Sequence, residues 1–230
     1  MRYCILIYDG VEPIDLGATF GVLSMARRVD PAIGMLAIAK QAGTVVCANG
    51  LRVIADHGFS DAPDLDVIVV IGGPGWKQAA ADAATLAYLR ALPESTFVAG
   101  ICTGAMIMAA AGLLNGHTAT TKVEVTGDEK PPIDVLKSNY PLVETRRDVA
   151  VLSRGRLTSG GVCLGIDGIF YLLKHLHGEL LASETARIME YDRALKANAA
   201  VLPHVDLTSA AQDTPRESQP IEKHRTSSAA

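Results

Sequence analysis

Apolar residues fall into short runs that alternate with longer stretches of helical periodicity. The run at residues 3–8, closed by Asp9 and Gly10, predicts a first strand. From Asp15 or Leu16 to Arg28, apolar positions including Phe20, Leu23 and Met25 recur at helical spacing, and Asp15 is a good helix-capping type. Residues 33–39 predict a second strand. Residues 45–46 and 51–54, separated by Asn49 and Gly50, predict a hairpin. The clearest buried-strand run is 67–71, which ends at Gly72, Gly73, Pro74 and Gly75, and a helix is expected over 82–92. A strand at 97–101 and a helix over 105–114 follow. Beyond them the pattern predicts a short strand at 118–121, a helix over 131–139, and strands at Val143 and 149–152 around the polar turn Arg146, Arg147, Asp148. Helical patterns over 162–177 and 179–196 complete the periodic part. Residues 208–230 are rich in Ser, Thr, Pro, Gln and charge and read as a flexible tail. The expectation is one domain over 1–202 and a polar tail over 203–230.

Strands alternating with helices predict an α/β fold with a largely parallel central sheet covered on both faces. Such sheets bind ligands outside the carboxyl ends of their strands. Four segments fall there: 12–16, 72–75, 102–104 and 159–163. The centre of this set is Gly100, Ile101, Cys102, Thr103, Gly104, where a strand run turns directly into a helical run. It is the cysteine counterpart of the nucleophile elbow, in which flanking small residues keep a tight strand-to-helix turn free of clashes. A cysteine at that turn faces free N–H groups of the following helix, which favours thiolate over thiol. A packed core cysteine is the competing explanation for a single such residue.

Composition narrows the classes. The 230 residues are 49% hydrophobic and 20% charged, with a net charge of −4 and no basic block, so nucleic-acid binding has no electrostatic footprint. The apolar N-terminal run is too short for a signal peptide or a membrane span. Cys4, Cys47, Cys102 and Cys163 are widely spaced, which argues against zinc and disulfides and suits a cytoplasmic protein. The six histidines show no metal-ligand spacing and offer no obvious base for an ordinary cysteine hydrolase.

A thiol nucleophile needs a proton carrier and groups that position the substrate. Asp15, between a strand and a helix among apolar neighbours, is the candidate, because burial raises a carboxyl pKa toward values useful for proton transfer. A plain helix cap is its alternative role. Gly72 and Gly73 can present backbone N–H groups to a polar ligand, and Gly161 carries the same expectation. The Thr103 hydroxyl can bond substrate or only the first turn of its own helix. Cys163 is a rival nucleophile, more simply read as a packing residue.

Together the segments resemble the ThiJ/PfpI superfamily, whose fold is that of class I glutamine amidotransferases, over about residues 2–195. The resemblance rests on Ile14-Asp15-Leu16, on Gly72 to Gly75 after Ile71, on the cysteine elbow with Ala109 to Leu114, on Ala119-Thr120-Thr121, and on Thr158 to Gly161 with Gly165-Ile166-Asp167. Within the superfamily the chain is most similar to isonitrile (isocyanide) hydratases and to sensor domains of AraC-type regulators. The resemblance implies a flavodoxin-like three-layer sandwich, a homodimer, Cys102 as nucleophile and Asp15 as its acidic partner. Thr103, Gly72, Gly73 and Gly161 would line the substrate site. It implies a cofactor-free, metal-free hydratase that adds water to an isonitrile to give an N-substituted formamide. Relatives often carry Thr-Thr-His-Trp where this chain has Thr120, Thr121, Lys122, Val123. A cation there favours an anionic substrate or a thiolate, unless it points to solvent. The alternatives are a glyoxalase- or deglycase-type enzyme on the same scaffold, and a non-catalytic module that senses a ligand or an oxidant. A complete AraC-type regulator would need a longer region after the core than residues 203–230 supply.

Overall fold

The computed structural model describes residues 1–147, 150–201 and 204–208. In chain order the elements are β1 (Arg2–Leu6), α1 (Pro13–Val29), β2 (Gly34–Ile38), β3 (Gly43–Val46), β4 (Arg52–Ala55), β5 (Val67–Val70), α2 (Trp76–Ala79) and α3 (Ala83–Arg90). They continue with β6 (Phe97–Ile101), α4 (Gly104–Ala110), β7 (Thr118–Ala119), α5 (Pro132–Asn139), β8 (Glu144–Thr145), β9 (Ala150–Ser153) and β10 (Arg156–Ser159). Helices α6 (Leu164–His177), α7 (Glu179–Ile188) and α8 (Asp192–Val201) and strand β11 (His204–Asp206) close the order.

Seven strands form one sheet in the order β11-β9-β10-β6-β5-β1-β2. All neighbours are parallel except β9 and β10, which form a tight antiparallel pair. The period-2 alternation of strand side chains builds two cores. Tyr3, Ile5, Val67, Val69, Ala99 and Ile101 pack toward α1, α6 and α7. Cys4, Leu6, Ile68, Val70 and Val98 pack toward α3, α4 and α5. Every residue of β5 is buried, as its unbroken apolar run requires in a sheet covered on both sides. The fold is the flavodoxin-like α/β sandwich.

Several predicted boundaries move for local reasons. A strand that the pattern did not predict, β10, occupies 156–159, where Leu157 and Thr158 pair with β6 and β9. The helical pattern over 179–196 divides into α7 and α8, because Glu190 sits at a φ of +55° between them. Strand β11 lies past residue 202, pairing with β9 through Val205 opposite Val151. Asp148, Val149 and residues 209–230 of the expected tail lie outside the described residues. Among the described residues, no helix is long and apolar enough to cross a membrane.

Candidate active site

The carboxyl ends of β5 and β6 carry the glycine turn and the elbow. Ile101 is the last residue of β6 and Gly104 the first of α4, so Cys102 and Thr103 make the whole turn. Cys102 pays for that abruptness with a φ of +56°, a region costing a non-glycine residue about 1–3 kcal/mol. Two bonds hold it: the Cys102 N–H donates to the Ser159 carbonyl at 3.2 Å, and the Thr121 hydroxyl donates to the Cys102 carbonyl at 2.8 Å. The elbow closes this tightly because its neighbours lack side chains. A Cβ on Gly104 would overlap the Val70 carbonyl oxygen, and one on Gly72 would stand 2.6 Å from the Thr103 nitrogen.

Asp15 is not a helix cap. Glu12 holds the N-cap position of α1, and Asp15 lies inside the first turn, fully buried. Its Oδ1 accepts a 2.9 Å hydrogen bond from the backbone N–H of Val162, far along the chain. Val162 is itself held at a φ of +59°, unusual for a β-branched residue. Two strained residues on separate loops thus meet across one carboxyl and one thiol. The Asp15 Oδ2 is buried without a regular hydrogen-bond partner; the Cys102 thiol and the Gly72 N–H are the donors near the carboxyl.

Burial lifts the Asp15 pKa to about 6, while the thiol and the backbone N–H of Val162 hold it down. Burial and then the Asp15 charge push the Cys102 thiol up to about 12, against the smaller opposing pull of the Thr103 N–H and of Lys122. This corrects the expected resting thiolate. The helix N-terminus does reach the sulfur, but desolvation outweighs it. Burial and the neighbouring carboxyl both act against a thiolate at Cys102.

The other expected site residues divide in role. The Thr103 hydroxyl accepts from the Gly73 N–H at 3.0 Å, so it ties the elbow to the glycine turn. The Gly75 N–H donates to the Gly10 carbonyl at 3.0 Å and the Trp76 N–H to the Gly73 carbonyl at 3.0 Å. With Pro74 lacking an N–H, this turn braces the elbow and does not form an open oxyanion hole. Gly161 makes room for the nucleophile: a Cβ there would stand 2.5 Å from the Cys102 sulfur and 3.3 Å from the Lys122 Cβ. Cys163 is exposed at the start of α6, so it is neither packed nor in the cleft.

Cys102, Thr103 and Gly73 open into a cleft of about 410 Å³. Its outer wall comes from Lys122, which the sequence marked as a cation near the site, from Glu12 and Val162 in the expected segments, and from Trp76, Glu129 and Lys130, which the sequence pattern did not single out. For Trp76 the only clue was its position after a strand end, and for Glu129 and Lys130 not even that. Among the described residues, no histidine lines the cleft. His175 packs on Phe97 and His177 bonds the Tyr3 hydroxyl at 2.7 Å, both at the opposite end of the strands. Among the described residues, no cluster of three or more His, Cys, Asp or Glu is placed to hold a metal ion.

Residues 1–162 match the model of the DJ-1/PfpI family. The chain belongs to that family. It is 30% identical over 186 residues to isonitrile hydratase of Pseudomonas putida, a match covering 80% of this chain and 74% of that enzyme. It is also 28% identical over 150 residues to the HTH-type transcriptional regulator CdhR of Pseudomonas aeruginosa, covering 65% of this chain but only 42% of the regulator. Among solved structures, a ThiJ/PfpI family protein from Pseudomonas syringae superposes with a TM-score of 0.70 at 27% identity, over 83% of this chain and 75% of that one. The chain is therefore similar to an enzyme and to part of a regulator, and the site chemistry has to separate the two readings.

Proposed function

We propose that this protein is a cysteine-dependent hydratase that converts an isonitrile and water into an N-substituted formamide. The observation that carries this reading is the shared crevice of Cys102 and Asp15, in which one carboxylate oxygen is left free of other regular hydrogen bonds. The terminal isonitrile carbon accepts both a nucleophile and a proton. The Cys102 sulfur forms the S–C bond while its proton passes to Asp15 and on to the same carbon, giving a thioimidate. Water then adds to that carbon, its proton going to nitrogen. Collapse forms the C=O bond, breaks the S–C bond and returns a proton to sulfur through Asp15. Atoms balance as isonitrile plus water giving formamide, with the enzyme regenerated. A carboxylate near 6 beside a protonated thiol suits a group that must both take and give the proton at neutral pH. The similarity to isonitrile hydratase supports the same assignment.

The test offers purified protein cyclohexyl isocyanide, para-nitrophenyl isocyanide and methylglyoxal, with Cys102→Ala as the blank. Formamide production that disappears in the variant is the expected result. Turnover of methylglyoxal alone moves the assignment to an aldehyde-handling enzyme. The similarity to CdhR favours a second reading, a ligand-sensing module. Thermal stabilisation by an isonitrile without any formamide would select that reading.

A further inference from the structure

The cleft holds one cation whose position the hydration scheme leaves unused. Lys122 is half-buried, and among the described residues its ammonium has no hydrogen bond, ion pair or ring contact. Its backbone is fixed on both sides: the Thr121 hydroxyl bonds the Cys102 carbonyl, and the Lys122 carbonyl accepts from the Ile133 N–H at 3.1 Å. The Lys122 Cβ and the Cys102 sulfur flank one point above Gly161. The other two lysines of the cleft are engaged, Lys77 over the Trp76 ring at 5.8 Å and Lys130 with the Ser138 hydroxyl at 3.2 Å. Glu12 and Glu129 also line the cleft, and among the described residues neither makes an ion pair with Lys122. A half-buried lysine whose Cβ stands beside the nucleophile, with its backbone anchored on both sides, fits a ligand anion delivered with the reacting carbon.

We infer that Lys122 binds a carboxylate on the substrate, so that the site selects small electrophiles with a carboxylate close to the reacting carbon. This rests on the Cys102 assignment above and narrows it from isonitriles in general to isocyano acids of the isocyanoacetate type. Lys122 is then the residue that sets specificity, while Cys102 and Asp15 carry the chemistry.

Two measurements separate this inference from the hydratase reading. The first compares alkylation of Cys102 by iodoacetate and by iodoacetamide at pH 8.5, followed on the Cys102 peptide in a Cys163→Ser background. In each reaction sulfur bonds the methylene carbon, iodide leaves and the thiol proton goes to solvent, so the reagents differ mainly in the carboxylate. The iodoacetate-to-iodoacetamide rate ratio is expected to fall about tenfold in Lys122→Met and to be largely retained in Lys122→Arg. A change in thiolate content moves both rates together and cancels, so an unchanged ratio in Lys122→Met overturns the inference. The second compares isocyanoacetate with its methyl ester as substrates. Expected is an acid-over-ester preference in kcat/KM, expressed in KM, lost in Lys122→Met and largely kept in Lys122→Arg. Turnover of the ester with no such preference also overturns the inference and leaves the hydratase standing. Turnover of neither compound, with cyclohexyl isocyanide still hydrated, overturns the inference and leaves the hydratase standing; where no isonitrile is turned over the hydratase falls, and the alkylation ratio alone decides whether the anion site exists.

Discussion

Asp15 and Asp167 occupy matching places in the fold and have opposite surroundings. Each lies in the first turn of a helix that packs on the same face of the sheet, and each is almost completely buried. Burial raises the pKa of both. Asp167 is satisfied at both oxygens: the Asn198 side-chain amide donates to Oδ1 at 3.2 Å and to Oδ2 at 3.1 Å, and the Tyr191 hydroxyl donates to Oδ2 at 3.1 Å. Those partners come from the segment that includes α8, so Asp167 fastens the last helix to α6. Asp15 has one firm backbone bond and one open oxygen in the company of a thiol. A buried carboxylate with a closed hydrogen-bond shell holds structure. One left partly open beside a nucleophile is poised to move a proton.

The largest effect that sharpens this contrast is on turnover. Asp15→Asn should lower the hydration rate by about 10²–10⁴-fold, while alkylation of Cys102 by iodoacetamide accelerates because the charge that suppresses the thiolate is gone. A variant that keeps full turnover would remove Asp15 from the chemistry. In the wild type, activity should fall as pH drops through about 6, since protonated Asp15 cannot accept the thiol proton, and a pH–rate profile of kcat/KM reads this limb. Next in size is Gly161→Ala, whose Cβ would displace the sulfur; turnover should drop about 10- to 100-fold with the fold retained, checked by kinetics alongside circular dichroism.

Stability should move in opposite directions at the two aspartates. The Asp15 carboxyl binds its proton more tightly folded, at about 6, than at its ordinary 3.8. The folded state therefore loses stability as pH rises between those values, and the loss persists above them. Asp15→Asn escapes that loss, so urea unfolding at pH 7.5 should show a gain of up to about 3 kcal/mol that vanishes by pH 4. Asp167→Ala leaves the Tyr191 and Asn198 donors unpaired and should cost about 1–3 kcal/mol, with the Cys102 alkylation rate unchanged. A loss of thiol reactivity in that variant would break the distinction between the two sites.

Local pattern was enough for the sheet and the elbow. An unbroken apolar run such as 67–71 has few stable fates besides a strand covered on both faces, and Cys102 between glycines at a strand-to-helix switch already marks a tight turn. The ends of elements read less well where a backbone angle decided them, as at Glu190, or where pairing with distant strands did, as for β10 and β11. Sequence alone marked one cysteine at a strand-to-helix turn and one aspartate shortly after another strand as candidates for a shared site. Only the tertiary structure decided that burial opposes the thiolate, that Thr103 serves as a brace, and that the Val162 N–H and the wall residues Glu129 and Lys130 belong to the site. The reason is physical: desolvation, hydrogen-bond partnership and cleft shape are set by atoms far apart along the chain, and no local pattern encodes their distance.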